Sequence, residues 1–203
     1  MDDNINTPFR FEHLIERLNN INDHFDIGNL KNDVGAYLPW DELNESQKSC
    51  VRAYVALCHA EIESHFEQWA FHIVEHAFNT WKSENKVTLP LLSLCIHYKF
   101  IKEHRSTDEK IDDIVKSFKK DVIEKNNGIK TEKLVDLFKP LGVDRASIIS
   151  LAPILDSFGK KRGDVVHNSI KVQQPLDLAS LINNVRAIQN EIKLFESLLD
   201  ELL

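Results

Sequence analysis

The sequence predicts an all-α fold, and three of its features support that class. Apolar residues recur at intervals of three and four along almost every segment. No alternating strand pattern stands out, and six glycines and six prolines leave little material for hairpin turns. Because 42% of the 203 residues are hydrophobic and no long linker interrupts them, we expect a single helical domain over residues 1–203.

The first predicted helix begins at Thr7, a typical N-cap, with Pro8 at the first helical position. Its apolar stripe consists of Phe11, Leu14, Ile15, Leu18 and Ile21, and the helix is predicted to run to about Phe25. Residues 26–40 contain Gly28, Gly35 and Pro39 without a sustained period, so we expect a loop there.

A long helix from about Asn44 to Lys82 is predicted to be the central element of the bundle. Its residues at steps of three and four form one buried face: Val51, Val55, Cys58, Ile62, Phe66, Trp69, Ile73 and Ala77.

Two further helices are expected before residue 130. Pro90 opens the first, which continues to Ile101. Thr107 or Asp108 caps the second, which is strongly charged, runs to about Glu124 and is stopped by residues 126–128, Asn-Asn-Gly.

The last third of the chain predicts two more helices. Asp144 is the expected N-cap of one that Pro153 kinks. After Pro175, apolar residues alternate steps of four and three for about three heptads, from Leu181 to Leu202. This heptad seam suits either packing within the bundle or an intermolecular contact.

Composition restricts the class of protein further. The net charge of −7 argues against nonspecific coating of nucleic acid, although a local basic site is compatible with it. Cys50, Cys58 and Cys95 are odd in number and lack metal-site spacing. With an acidic, polar N-terminus and no apolar run long enough for a membrane span, the chain is expected to be soluble and cytoplasmic.

The most informative segment is residues 160–169, Lys-Lys-Arg-Gly-Asp-Val-Val-His-Asn-Ser. Arg162 can clamp a phosphate through two parallel N–H bonds, and His167 can take and give a proton near neutral pH. The spacing alone is weak, because seven arginines and nine histidines give about 0.3 such pairs by chance. The surrounding residues must therefore support the assignment.

Those residues resemble the Arg-x4-6-His motif of the HEPN superfamily, and in particular of its RiboL-PSP type. Residues 51–63 are similar to the long helix of that group, where Glu63 matches a recurring acidic position. The resemblance implies an HEPN-like bundle that dimerises and joins two Arg/His pairs into a metal-independent RNA-cleaving site, needing no cofactor. It also implies a toxin-like or anti-phage role, with an antitoxin or defence-system protein as partner. The tyrosine that is modified in one branch is replaced here by Ser169.

RNA cleavage through its own 2′-hydroxyl needs a base, an acid and positive charge on the phosphorane. We assign proton transfer to His167 and phosphate binding to Arg162, with Lys160 and Lys161 guiding the RNA. Asp164, Asn168 and Glu63 are assigned supporting roles. The alternative for the lysines is that they only complement the helix dipole, and Arg52, His59 and Glu63 equally suit an ordinary ion-pair network.

The geometry raises one difficulty, because residues five apart on a regular α-helix differ by about 140° around its axis. Arg162 and His167 share a face only if the arginine swings round or the helix is irregular, for which Gly163 is the expected cause.

Two other functions compete. His72, Glu75 and His76 match the His-x-x-Glu-His pattern of inverted zinc peptidases, with His65 one heptad earlier, but no third zinc ligand is evident. The chain also suits a non-catalytic helical interaction module in which Arg162 and His167 are structural and the heptad seam recruits a partner.

Overall fold

The computed structural model describes residues 10–98, 106–167 and 175–203, except for the side chains of residues 166 and 167. These residues form an all-α bundle, as the sequence predicts, and contain no β-strand beyond an isolated bridge between Lys31 and Tyr37. The α-helices are α1 (Phe11–His24), α2 (Glu45–Glu84), α3 (Leu89–Tyr98), α4 (Thr107–Phe118), α5 (Thr131–Phe138), α6 (Arg145–Ser150), α7 (Ala152–His167) and α8 (Leu178–Asp200).

Helix α2 is the spine of the fold, in agreement with the prediction. Its 40 residues span about 60 Å. The helix begins with a capping box, in which Asn44 and Gln47 each bond the other's backbone N–H, and ends at Asn85 in the left-handed conformation. Helices α1, α3, α5, α7 and α8 all contact it.

Glu196 ties three helices together near one end of the bundle. Its side chain accepts hydrogen bonds from the Phe11 amide and from Trp69 Nε1, both at 3.0 Å. Burial raises the pKa of Glu196 despite these two donors. The start of α1 is thereby fixed to the middle of α2 and the last third of α8.

The heptad seam of α8 packs inside the bundle. Its residues on α8 are at most 5% exposed: Leu181, Val185, Ile188, Ile192, Phe195 and Leu199. Leu202, the last residue of the seam, follows α8 and is partly buried. The period of this helix therefore reflects intramolecular packing, and the seam is not an outward-facing contact for a partner.

Several predicted boundaries differ from those observed. Residues 145–167 form two helices rather than one kinked at Pro153, because the proline lies in the first turn of α7, where its missing N–H costs nothing. Ser106, rather than Thr107 or Asp108, caps α4. Helix α4 passes into a π-helical segment, Lys119–Ile123, and α5 was not predicted at all.

Other predictions fall partly outside the described residues. These are Thr7 and Pro8 at the start of the first helix, and the predicted extension of the third helix beyond Tyr98 to Ile101. Among the helices that the structure does describe, none combines the length and apolarity needed to cross a membrane.

Candidate functional site

The candidate site surrounds the C-terminal half of α7. Leu155 and Phe158 are fully buried and anchor the helix in the core, while Asp144 caps the preceding α6 as predicted. The α-helix is continuous through His167, so the irregularity expected at Gly163 is not observed. Positions 162 and 167 are therefore separated by about 140° around the axis of α7.

Arg162 is partly buried on α7. Among the residues that the structure describes, no carboxylate forms an ion pair with it. The side chain of His167 and the whole of Asn168 lie outside the described residues. The structure thus places the arginine of the motif and the backbone position of the histidine, and their roles remain predictions.

The two lysines of the motif lie on different sides of α7. Lys161 Nζ donates to Ser180 Oγ on α8 at 3.2 Å. Lys160 is exposed and lines an open pocket of about 390 Å³ together with Lys130, Thr131, Glu132 and Asp156.

Lys130 is a cation that the sequence reading missed. It precedes α5, and its aliphatic stem crosses α7 at Gly159, where an added Cβ would lie 3.3 Å from Lys130 Cγ. The absence of a side chain at Gly159 lets the lysine approach. We name Lys130, Lys160, Lys161 and Arg162 the basic cluster.

Glu63 reaches the same region through His59. The His59 ring is almost completely buried and stacks on Phe158, with ring centroids 6.5 Å apart. His59 Nδ1 lies 3.5 Å from a carboxylate oxygen of Glu63, one turn further along α2. Glu63 is therefore placed on the α2 side of α7, where it can orient neighbouring groups.

Arg52 is not joined to His59 and Glu63 as a simple ion-pair network would require. Its guanidinium carbon lies 5.2 Å from the ring centroid of Trp40, in a cation–π contact. Asp164 is exposed on α7, and its supporting role also remains a prediction.

The residues of the zinc-peptidase pattern do not form part of a three-ligand metal site in the part of the chain that the structure describes. Glu75, which would activate water in that pattern, forms an ion pair with Lys119. Burial and the neighbouring His76 lower the pKa of His72, which favours the neutral imidazole and does not itself argue against zinc binding. Within the described ranges, no three His, Cys, Asp or Glu side chains are placed to hold a metal ion together.

A helical bundle whose long central helix supports an Arg-x4-His helix is the arrangement implied by the sequence resemblance. The RiboL-PSP-HEPN family matches residues 12–201, and the chain belongs to this family. The match includes positions 63, 162 and 167, so the family recognised from short motifs is confirmed over almost the whole chain. No curated protein and no solved structure matches the chain.

Proposed function

We propose that this protein is a metal-independent endoribonuclease of the HEPN type. The observation that supports this most is the basic cluster, which concentrates four cations around the end of α7 in a chain of net charge −7. A polyanion approaching an otherwise acidic surface is attracted to such a local positive patch.

The chemistry follows from the residue types at this site. His167 removes the proton from the 2′-hydroxyl, and Arg162 binds the scissile phosphate and stabilises the charge that develops on it. Lys160 and Lys130, which line one pocket, bind the backbone phosphates beside the cleaved linkage. Because RNA supplies its own nucleophile, this reaction needs no cofactor.

A second protomer completes the site in this proposal. The regular helix separates positions 162 and 167 by about 140°, so one α7 does not present both side chains on one face. A twofold dimer places Arg162 of one protomer opposite His167 of its partner and provides both a base and an acid. Glu63 contacts His59, which stacks on Phe158, and in this way helps to position α7 at the cleft between the protomers.

The biological part of the proposal rests on the family. A toxin-like or anti-phage activity in the cytoplasm, held in check by an antitoxin or another defence-system protein, fits a ribonuclease of this family. Regulation by tyrosine modification is not part of the proposal, because Ser169 stands at that position.

Cleavage of single-stranded RNA in EDTA by purified protein tests the function. Wild type is expected to cut, and Arg162→Ala and His167→Ala are expected to lose at least a hundredfold in rate. Arg145→Ala and His24→Ala remove the same side-chain types at exposed positions and should cut normally.

Cutting that persists in both motif variants would contradict the proposed site. A folded wild-type dimer that binds RNA without cutting it would instead favour a non-catalytic HEPN module. The buried heptad seam removes the surface on which such a module was expected to recruit its partner.

A further inference from the structure

A pocket of about 450 Å³ lies between two segments that are distant in the sequence. Residues 37–41, before α2, form one side, and residues 175–178, which lead into α8, form the other. Tyr37 and Trp40 are half-buried, while Pro39 and Pro175 are exposed. Flat aromatic and proline faces around a pocket of this size suit a planar ring.

Cations lie against both aromatic rings of this aromatic pocket. Lys31 Nζ lies 5.1 Å from the ring centroid of Tyr37, and the Arg52 guanidinium lies 5.2 Å from that of Trp40. Arg52 Nε is buried without a hydrogen-bond partner among the described residues. Both rings are thus held in place by cations that do not themselves line the pocket.

A chain of hydrogen bonds connects the aromatic pocket to the basic cluster. Asp177, in the pocket wall, accepts from the Ser180 amide at 3.3 Å, and Ser180 Oγ accepts from Lys161 Nζ at 3.2 Å. Lys161 is adjacent to Arg162 on α7. The pocket therefore lies beside the helix that carries Arg162, the proposed phosphate-binding residue.

The charged groups that line the pocket are acidic. Asp41 and Asp177 both contribute to its wall and both are exposed. Two carboxylates repel a phosphate but accept hydrogen bonds from the N–H groups of a base edge. Guanine presents two adjacent donors, N1–H and N2–H₂, on its Watson–Crick edge, whereas the other three bases lack that pair.

We propose that the aromatic pocket is a base-binding subsite that stacks a guanine on Trp40 and Tyr37 and recognises its Watson–Crick edge through Asp41 and Asp177. The proposal rests on the ribonuclease function, and it specifies the substrate: single-stranded RNA with a guanine next to the cleaved linkage.

Nucleotide binding tests the pocket separately from cleavage. Guanosine 5′-monophosphate is expected to quench tryptophan fluorescence, with at least about tenfold tighter binding than the adenosine, cytidine and uridine monophosphates. Trp69 is fully buried, and Trp81 lies near the opposite end of α2, where its Nε1 donates to Asp108, so the change should come from Trp40 and disappear in Trp40→Phe.

The matched acidic variants test recognition of the base edge. Asp177→Asn keeps an N-cap side chain on α8, because asparagine caps as well as aspartate, and the Asp41→Asn/Asp177→Asn protein should lose the tenfold preference for guanine. Asp33→Asn removes an exposed carboxylate from the same loop outside the pocket and should retain the preference.

Sequencing the cut sites in a random-sequence RNA completes the experiment. Wild type should cut beside guanine, and the double variant should cut without that bias. RNA cleavage without nucleotide-specific quenching, or a guanine preference that survives the double variant, would overturn the subsite alone. Guanine-specific quenching without any RNA cleavage would support the pocket and refute the nuclease.

Discussion

Asp156 on α7 caps the first turn of α5 through both carboxylate oxygens. One oxygen accepts from the Thr131 amide and the other from Thr131 Oγ1, each at 2.8 Å. Lys130, the N-cap residue of α5, supplies no capping side chain of its own. The contact therefore fixes α5, and with it Lys130, against the helix that carries the Arg/His motif.

Replacing Asp156 by alanine is expected to destabilise the protein by about 1–2 kcal/mol, because a charge-assisted cap and its partner amide are both lost. Urea unfolding measures the change. Asp136→Ala removes an exposed carboxylate from α5 and should stay within about 0.5 kcal/mol of wild type. Equal unfolding free energies for the two variants would show that the cap contributes nothing.

Lys130→Ala and Lys160→Ala are expected to weaken RNA binding by similar factors for every RNA sequence, since phosphate contacts carry no base information. Each lost contact should reduce the slope of log K against log salt by about 0.7. Binding is measured by anisotropy with the Arg162→Ala protein as the uncut background.

Lys125→Ala makes the same charge change at an exposed residue outside the basic cluster, where Lys125 pairs with Asp121. Its salt slope should equal that of the background protein. A slope change as large as that of Lys160→Ala would mean that net charge, and not the cluster, sets RNA affinity.

His65 is expected to make the fold sensitive to acid. The residue is 1% exposed, and neither ring nitrogen has a hydrogen-bond partner among the described residues. Burial, with the nearby positive charge of Arg17, lowers its pKa from 6.5 to about 3. Between pH 6.5 and pH 3, His65 is therefore protonated in the unfolded chain but neutral in the folded protein. The free energy of unfolding decreases as the pH is lowered through this range.

Because of this difference in proton binding, the free energy of unfolding is expected to be about 2 kcal/mol lower at pH 5 than at pH 7.5. His65→Leu, which fills a similar volume without polar atoms, should lack that loss in urea unfolding at the two pH values. Both proteins keep Glu67 and Glu196, whose raised pKa values favour folding as the pH falls, so the difference isolates His65. Parallel pH profiles would contradict the assignment.

The helices that could be predicted from the sequence are those whose caps and apolar periods lie within or next to the helix itself. Helix α2 has its N-cap and its long apolar period in the sequence, and α8 has its heptads. Ser106 could also have been found, because Glu109 three residues later completes a capping box that makes Ser106 the better cap than Thr107.

Helix α5 shows why other elements could not be predicted. It has only eight residues, and its cap, Asp156, lies 25 residues away in the sequence. The site has the same limit, because Lys130 joins Lys160, and Trp40 faces Pro175, only through tertiary packing. The motif on α7 was visible in the sequence, whereas the side chains that surround it come from distant segments.

If the active site is shared between two protomers, a heterodimer of two inactive variants should recover some activity. Co-expressed Arg162→Ala and His167→Ala chains, isolated as heterodimers by two different tags, are expected to cut RNA faster than either variant homodimer, since one of the two Arg162–His167 pairs across the twofold axis is intact. The rate should stay well below half of the wild-type rate, because only one of the two histidines that supply the base and the acid remains. The physical reason is the uninterrupted α-helix, which keeps the two positions of one chain on different faces. Heterodimers of Arg162→Ala with the Arg162→Ala/His167→Ala chain contain no arginine at this position and should stay silent. If the first heterodimer is equally silent while remaining a folded dimer, each site is built from one chain, and Arg162 must reach around α7 to its own histidine.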